Sequence, residues 1–254
     1  MNYSIILIAR NMNNEFTKRE DDLRDRWKNS YPAEQREQFC FDGLIYYRNP
    51  NSNDDYEEVE KWENAKRKVL FLTKDTNNNP GEDYRWWEEF YTIKSNFFRN
   101  IIKCLWALNK VDVNYKPDFN NNKTIEEYTK ESIPYPMAIV NVKKIAGGHS
   151  VDNETLLEAY KQDKDFINEQ IRDILKPNII VCGGGSSTIR DIAFKIYSEM
   201  KFVSYNEWCF YCKENDVLII DDYHPSYPSR NNQTMINAVY EFYQKKKLHF
   251  LGNN

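Results

Sequence analysis

Four short apolar runs punctuate an otherwise polar chain, and amphipathic stretches fill the intervals between them. The runs are Lys68–Leu72, Met137–Val142, Asn178–Cys182 and Asp216–Ile220. Near-continuous apolar character over so few residues is what a strand covered on both faces requires. The intervals carry helical spacing. Asn153–Leu175 is the clearest, with Leu156, Tyr160, Ile167, Ile171 and Ile174 on one stripe, Asp152 as N-cap and Pro177 just past the end. Trp86–Leu108, Ser187–Glu199 and Asn232–Lys246 complete the helical set. Strands alternating with helices predict an α/β fold, a three-layer sandwich whose central, mainly parallel four-stranded sheet is flanked by helices.

Residues 1–66 follow a different pattern, polar and mostly helical, broken by Pro32 and by the apolar island Gly43–Tyr47. They read as an N-terminal helical cap packed on an α/β domain of residues 67–254. Met1–Arg10 starts apolar but lacks a basic start and a small-residue cleavage site, so it reads as a strand or buried arm rather than a leader. The longest apolar runs, such as Ile5–Ala9 and Met137–Val140, are far too short to span a bilayer. Asn-rich patches at 49–53, 77–79 and 120–122 read as loops, because Asn satisfies its own backbone in turns.

Composition narrows the class. A chain of 254 residues that is 41% apolar can bury one substantial core. Five scattered cysteines make no disulfide framework at this size, which points to reduced thiols and a cytoplasmic protein. Cys209 and Cys212 sit in a strand-like aromatic run, where a separation of three puts them on opposite faces. No second pair completes a four-ligand site, so they read as structural, and no metal or other cofactor is expected. A net charge of −4 weighs against nucleic acid as a partner. A local basic patch matters more than the sum, however, and Lys74, Lys143, Lys144 and Arg230 recur near the strand ends.

Those ends are where an open parallel sheet places its site. After the first run comes Thr73-Lys74-Asp75-Thr76-Asn77. The second contains Asn141 and runs into Lys143-Lys144 and Ala146-Gly147-Gly148-His149-Ser150. The third ends in Gly183-Gly184-Gly185-Ser186-Ser187, and the fourth in Asp221-Asp222-Tyr223-His224-Pro225-Ser226-Tyr227-Pro228-Ser229-Arg230. In order and spacing the strings FLTKDTN, IVNVKKIAGGHS, VCGGGSS and YHPSYPSR resemble the uracil-DNA glycosylase superfamily over about residues 68–232. That superfamily has a water-activating loop, a base-reading Asn, a Gly-Ser phosphate loop and an H-P-S loop at the four corresponding strand ends.

The resemblance implies a DNA glycosylase that flips out a uracil-like or modified pyrimidine and hydrolyses its N-glycosidic bond, in repair or in defence against phage with modified DNA. Such a bond breaks with positive charge growing on the sugar and negative charge on the departing base, so the site wants a carboxylate and a donor aimed at the base oxygen. Asp75 is implied as the first and His224 as the second. Thr73, Lys74, Asn141 and Trp87 are implied around the base, the Asn141 amide offering both donor and acceptor. Ser186 and Ser187, at a helix start where N–H groups favour an anion, join Lys143, Lys144, Ser226, Tyr227 and Arg230 as implied DNA contacts. Each residue also has a plainer reading: Asp75 as a helix cap, His224 as a surface-loop histidine, Asn141 as a tie at a strand end, the glycines as a tight turn.

Two departures bear on substrate. The superfamily's wedge leucine falls on Pro228, leaving Tyr227 or Arg230 to fill a gap in the duplex, and Lys74 adds a cation where a neutral residue is usual. The partner expected is DNA, single- or double-stranded with a flipped base, bound by a monomer with no membrane contact. A non-catalytic nucleic-acid binder on the same fold is the alternative. A flavodoxin-like mononucleotide site ranks last, since neither G-x-G-x-x-G nor G-x-x-x-x-G-K-[ST] is present.

Overall fold

The computed structural model describes residues 3–47, 57–76, 80–87, 95–147, 151–185, 187–197, 201–227 and 231–251. In chain order the elements are α1 (Tyr3–Ser30), α2 (Ala33–Arg36), β1 (Gly43–Leu44), β2 (Tyr46–Tyr47), α3 (Glu57–Asn64), β3 (Val69–Asp75), β4 (Trp86–Trp87), α4 (Asn96–Lys110), α5 (Ile125–Ser132), β5 (Met137–Lys143), α6 (Asn153–Asn168) with a π-helical continuation (Glu169–Leu175), β6 (Ile179–Gly183), α7 (Ser187–Ile196), β7 (Val203–Ser204), β8 (Cys209–Cys212), β9 (Val217–Asp222) and α8 (Asn232–Leu251). Two compact units share them, residues 1–88 with 136–177 and residues 89–135 with 178–254. Among the described residues no helix is long and apolar enough to cross a membrane.

In the first unit β5 lies between β1 and β3, parallel to β3 and antiparallel to β1. Val69–Leu72 and Met137–Val140 are buried, as their apolar runs require. Each of these side chains larger than Ala138 contributes about 1.5–3 kcal/mol by leaving water. Residues 1–66, expected as a helical cap, supply α1 and α3 but also β1, which pairs Gly43 with Ile139 and Leu44 with Ala138. The N-terminal apolar run is helical from Tyr3 rather than a strand; no proline or glycine interrupts the chain before Pro32, so one helix continues through it.

Glu20 of α1 is fully buried against β1 and β2. It accepts from the Leu44 N–H at 3.2 Å and the Tyr46 hydroxyl at 3.0 Å, and it faces the Arg85 guanidinium at 3.3 Å. Arg85 is shared with Asp21 at 2.8 Å and Asp83 at 2.6 Å. Burial pushes the Glu20 carboxyl up to about 7, outweighing the pull of Arg85. A Cβ on Gly43 would strike the Glu20 carboxylate, so a larger residue here would force that side chain to shift.

In the second unit the strand order is β6-β9-β8-β7, with β6 parallel to β9 and the remaining pairs antiparallel. Seven strands in mixed directions thus replace the four mainly parallel ones expected. The added strands β1, β7 and β8 are short antiparallel pieces with no helical crossover, which the alternation of long runs and helices does not reveal. Cys209 and Cys212 lie in β8; all five cysteines are buried and none forms a disulfide.

The helix expected over Trp86–Leu108 is shorter. Trp86 and Trp87 pair with Tyr46 and Tyr47 as strands, and α4 begins at Asn96 behind Ser95, whose hydroxyl accepts the Phe98 N–H. The stripe in α6 packs as expected, with Asp152 accepting the Thr155 N–H at 2.8 Å. Its π-helical end widens the turns and puts Gln170 inside with Ile171, Ile174 and Leu175.

Candidate active site

The candidate residues fall in two clusters, one in each unit. In the first, β3 and β5 run parallel with Thr73 opposite Asn141 and Asp75 opposite Lys143. Side chains two apart on a strand share a face. Thr73, Asp75, Asn141 and Lys143 are therefore brought to one face at the carboxyl ends of two adjacent strands. Lys74 lies between Thr73 and Asp75, so alternation turns it to the opposite face, away from the Asn141 amide it was expected to accompany.

Asn141 is tightly held. Its backbone N–H and its Nδ2 both donate to Asp42 Oδ2, at 2.9 and 3.0 Å, and its Oδ1 accepts the Thr73 hydroxyl at 2.7 Å. Asp42 is fully buried and its other oxygen takes the Lys144 ammonium. Gln170 completes the cluster, accepting from Lys144 at 3.3 Å and donating to the Asp42 carbonyl. The Lys144 ammonium also stands 4.8 Å over the Trp27 ring. Burial pulls that ammonium below its ordinary pKa, with the Asp42 charge holding against the shift.

A fully enclosed ammonium does not reach a phosphate. The expected DNA contact by Lys144 is therefore replaced by an internal ion pair. Lys143 is half-buried, and its ammonium folds back on the Ile145 carbonyl beside Gly147. The backbone of Trp87 lies in β4, while its side chain, with His149 and Asn77, lies outside the described residues.

The second cluster gathers at the ends of β6 and β9. His224 opens a turn closed by the Tyr227 N–H on the His224 carbonyl at 2.8 Å, with Pro225 at the position whose fixed φ suits it. The Pro225 carbonyl accepts the Asn100 side chain of α4 at 2.7 Å, and Asn100 in turn accepts from Asn232 at 3.3 Å. Phe97, one helical turn earlier, stands 5.7 Å from the His224 ring. The Ser226 N–H donates to His224 Nδ1 at 3.2 Å. In the neutral ring the proton therefore resides on Nε2.

Gly185 takes φ +66, a left-handed turn that favours glycine, and a Cβ there would come within 3.9 Å of the His224 backbone nitrogen. The glycine turn and the His224 turn are thus neighbours. Beside them lies a cleft of about 370 Å³, lined by Gly185, Ser187, Trp208, Tyr223 and three carboxylates, Glu207, Asp221 and Asp222. Arg190 pairs with Asp221 at 3.0 Å and packs over the Phe210 ring at 5.2 Å. Burial raises the Asp221 pKa, with Arg190 opposing. Three carboxylates in front of Ser187 do not make a phosphate cradle, so the glycines read here as the tight turn rather than the anion site.

Ser226 is exposed, and Tyr227 and Tyr223 are 47% and 44% exposed, their rings 5.3 Å apart and 21° from parallel. Trp208 meets Tyr223 edge-on at 5.8 Å. Ser186 and Arg230 lie outside the described residues.

Sequence reasoning missed Asp42, Gln170, Asn100 and Arg190. Asp42 carried a signal, a lone acid inside the aromatic and apolar stretch Phe39–Ile45; Asn100 did not, since one Asn on an amphipathic helix is ordinary. Comparison of the chain with protein-family models and with curated proteins returns no match.

Proposed function

We propose that this chain is a DNA glycosylase of the uracil-DNA-glycosylase-like kind, on a three-layer α/β sandwich. It extrudes a uracil-like or modified pyrimidine nucleotide from DNA and hydrolyses the N-glycosidic bond. The observation that carries the reading is the state of His224. Its Nδ1 is taken by the Ser226 N–H, so a neutral imidazole presents Nε2–H as a donor. A donor of that kind stabilises negative charge on the oxygen of a departing base without first losing a proton. The Pro225 carbonyl, tied to Asn100, steadies the turn that carries the ring.

The first unit supports the same chemistry. Asp75 and Asn141 share one face at the strand ends. A carboxylate there orients water and stabilises the sugar cation, and the Asn141 amide reads a base edge. Tyr227 serves as wedge or stacking surface for DNA, with Ser226 beside it on the backbone. The enzyme acts as a cytoplasmic monomer without cofactor, in repair or against phage carrying altered bases.

The test is base release from oligonucleotides containing uracil, hypoxanthine or modified cytosines. Asp75→Asn and His224→Ala are expected to abolish release and leave DNA binding within about threefold. Release at the wild-type rate by both variants would remove the assignment. The stacked, exposed Tyr223–Tyr227 pair favours a second reading, a non-catalytic binder of unpaired strands, since base–aromatic stacking alone contributes about 1–3 kcal/mol per base. Salt-sensitive binding with no base released from any substrate would select it.

A further inference from the structure

We infer that Asp42 is a positioning residue that locks the Asn141 amide in one orientation and so decides which hydrogen-bond edge of a base that amide accepts. The inference rests on the base-reading role proposed for Asn141. A carboxylate only accepts hydrogen bonds. Because Asp42 Oδ2 lies 3.0 Å from the Asn141 amide, the end facing it must be the NH2. The carbonyl end is then the one facing Thr73. Thr73 does not dictate this, since a hydroxyl donates or accepts equally well. The lock is the Asp42 charge; the buried Lys144 ammonium holds that carboxylate in place, and the Gln170 side chain holds the Asp42 backbone through its carbonyl.

Beyond these bonds the amide retains one N–H on the Asp42 side and one carbonyl lone pair on the Thr73 side. A base edge that uses both must offer an acceptor to the first and a donor to the second. Lactam edges (uracil, hypoxanthine) and amidine edges (cytosine, adenine) carry acceptor and donor in opposite order. The glycosidic bond fixes the pose, so a bound base does not turn over to compensate. A locked amide therefore separates the two edge classes, and an amide free to rotate end for end does not.

The experiment measures single-turnover base release by the full chain from oligonucleotides carrying uracil, hypoxanthine, cytosine or adenine. Asp42→Ala removes the oxygen that fixes the NH2 end, so Asn141 can turn. The ratio of release between the two edge classes is expected to fall at least about tenfold, whereas Thr73→Val is expected to keep the ratio within about threefold even if both rates drop. Should Asp42→Ala fail to fold with Lys144 left uncompensated, the double variant Asp42→Ala/Lys144→Met removes both charges and is held to the same ratio. Equal loss of release on every base, with the ratio intact, would make Asp42 a structural post and overturn the inference. A wild-type chain that releases no base is a separate result, which overturns the glycosylase reading and this inference with it.

Discussion

Glu20→Gln isolates a carboxyl that the fold keeps fully buried at a cost. In the folded chain this group titrates near 7 instead of its ordinary 4.5, because enclosure outweighs an Arg85 guanidinium already shared with Asp21 and Asp83. A tenfold change in proton affinity corresponds to about 1.4 kcal/mol, so two and a half such steps amount to roughly 3 kcal/mol. The folded pKa is the higher one. The contribution of Glu20 to stability is therefore full below 4.5 and is lost as pH rises through 7. Gln keeps the shape and an acceptor for the Leu44 N–H but does not titrate. Urea unfolding of both proteins from pH 5 to pH 8 is expected to show the wild type losing about 2–3 kcal/mol relative to Glu20→Gln. A difference that stays constant across that range would refute the account of burial at β1.

Gly43→Ala places a Cβ on the Glu20 carboxylate and is expected to cost about 1–3 kcal/mol, seen as a lowered thermal midpoint. Asn100→Leu removes the donor to the Pro225 carbonyl that steadies the His224 turn. Losing about 1–2 kcal/mol of positioning is expected to slow base release roughly tenfold, with DNA affinity measured by anisotropy nearly unchanged. At α5, hydrogen bonds from Lys110, Lys123 and the Trp106 indole hold the Glu131 carboxyl down to about 2. Its contribution is present above 4.5 and lost as pH falls toward 2. Acid unfolding of Glu131→Gln is expected to show a flatter limb over that window, and a superimposable limb would contradict it.

The four long strands were legible because a strand buried on both faces must be apolar throughout; each begins within a residue of its apolar run, and three extend past it into polar residues of the rim while β6 ends at Gly183. The edge strands were not legible. β1 has two residues and β7 two, too few for any periodicity, and their pairing is decided by β5 and β8. Trp86 and Trp87 read as the start of a helix because aromatic spacing there is ambiguous, and the cap that starts α4 is the single residue Ser95. The candidate site was legible as a set of strand ends but not in its bonding. No pattern in the chain says that Lys144 turns inward to Asp42 while Lys143, one residue earlier, stays near the surface. That difference comes from the end of β5 and from a carboxylate about a hundred residues away in sequence, which only the fold brings close.

The most direct test of the central claim is mass spectrometry of small molecules released when the purified chain is incubated with uracil-containing, cellular and base-modified phage DNAs. The account predicts a free pyrimidine base, leaving an abasic strand of unchanged length, and no release when His224 is replaced by Ala. Intact DNA from every source, or release of nucleotides instead of a free base, would contradict it.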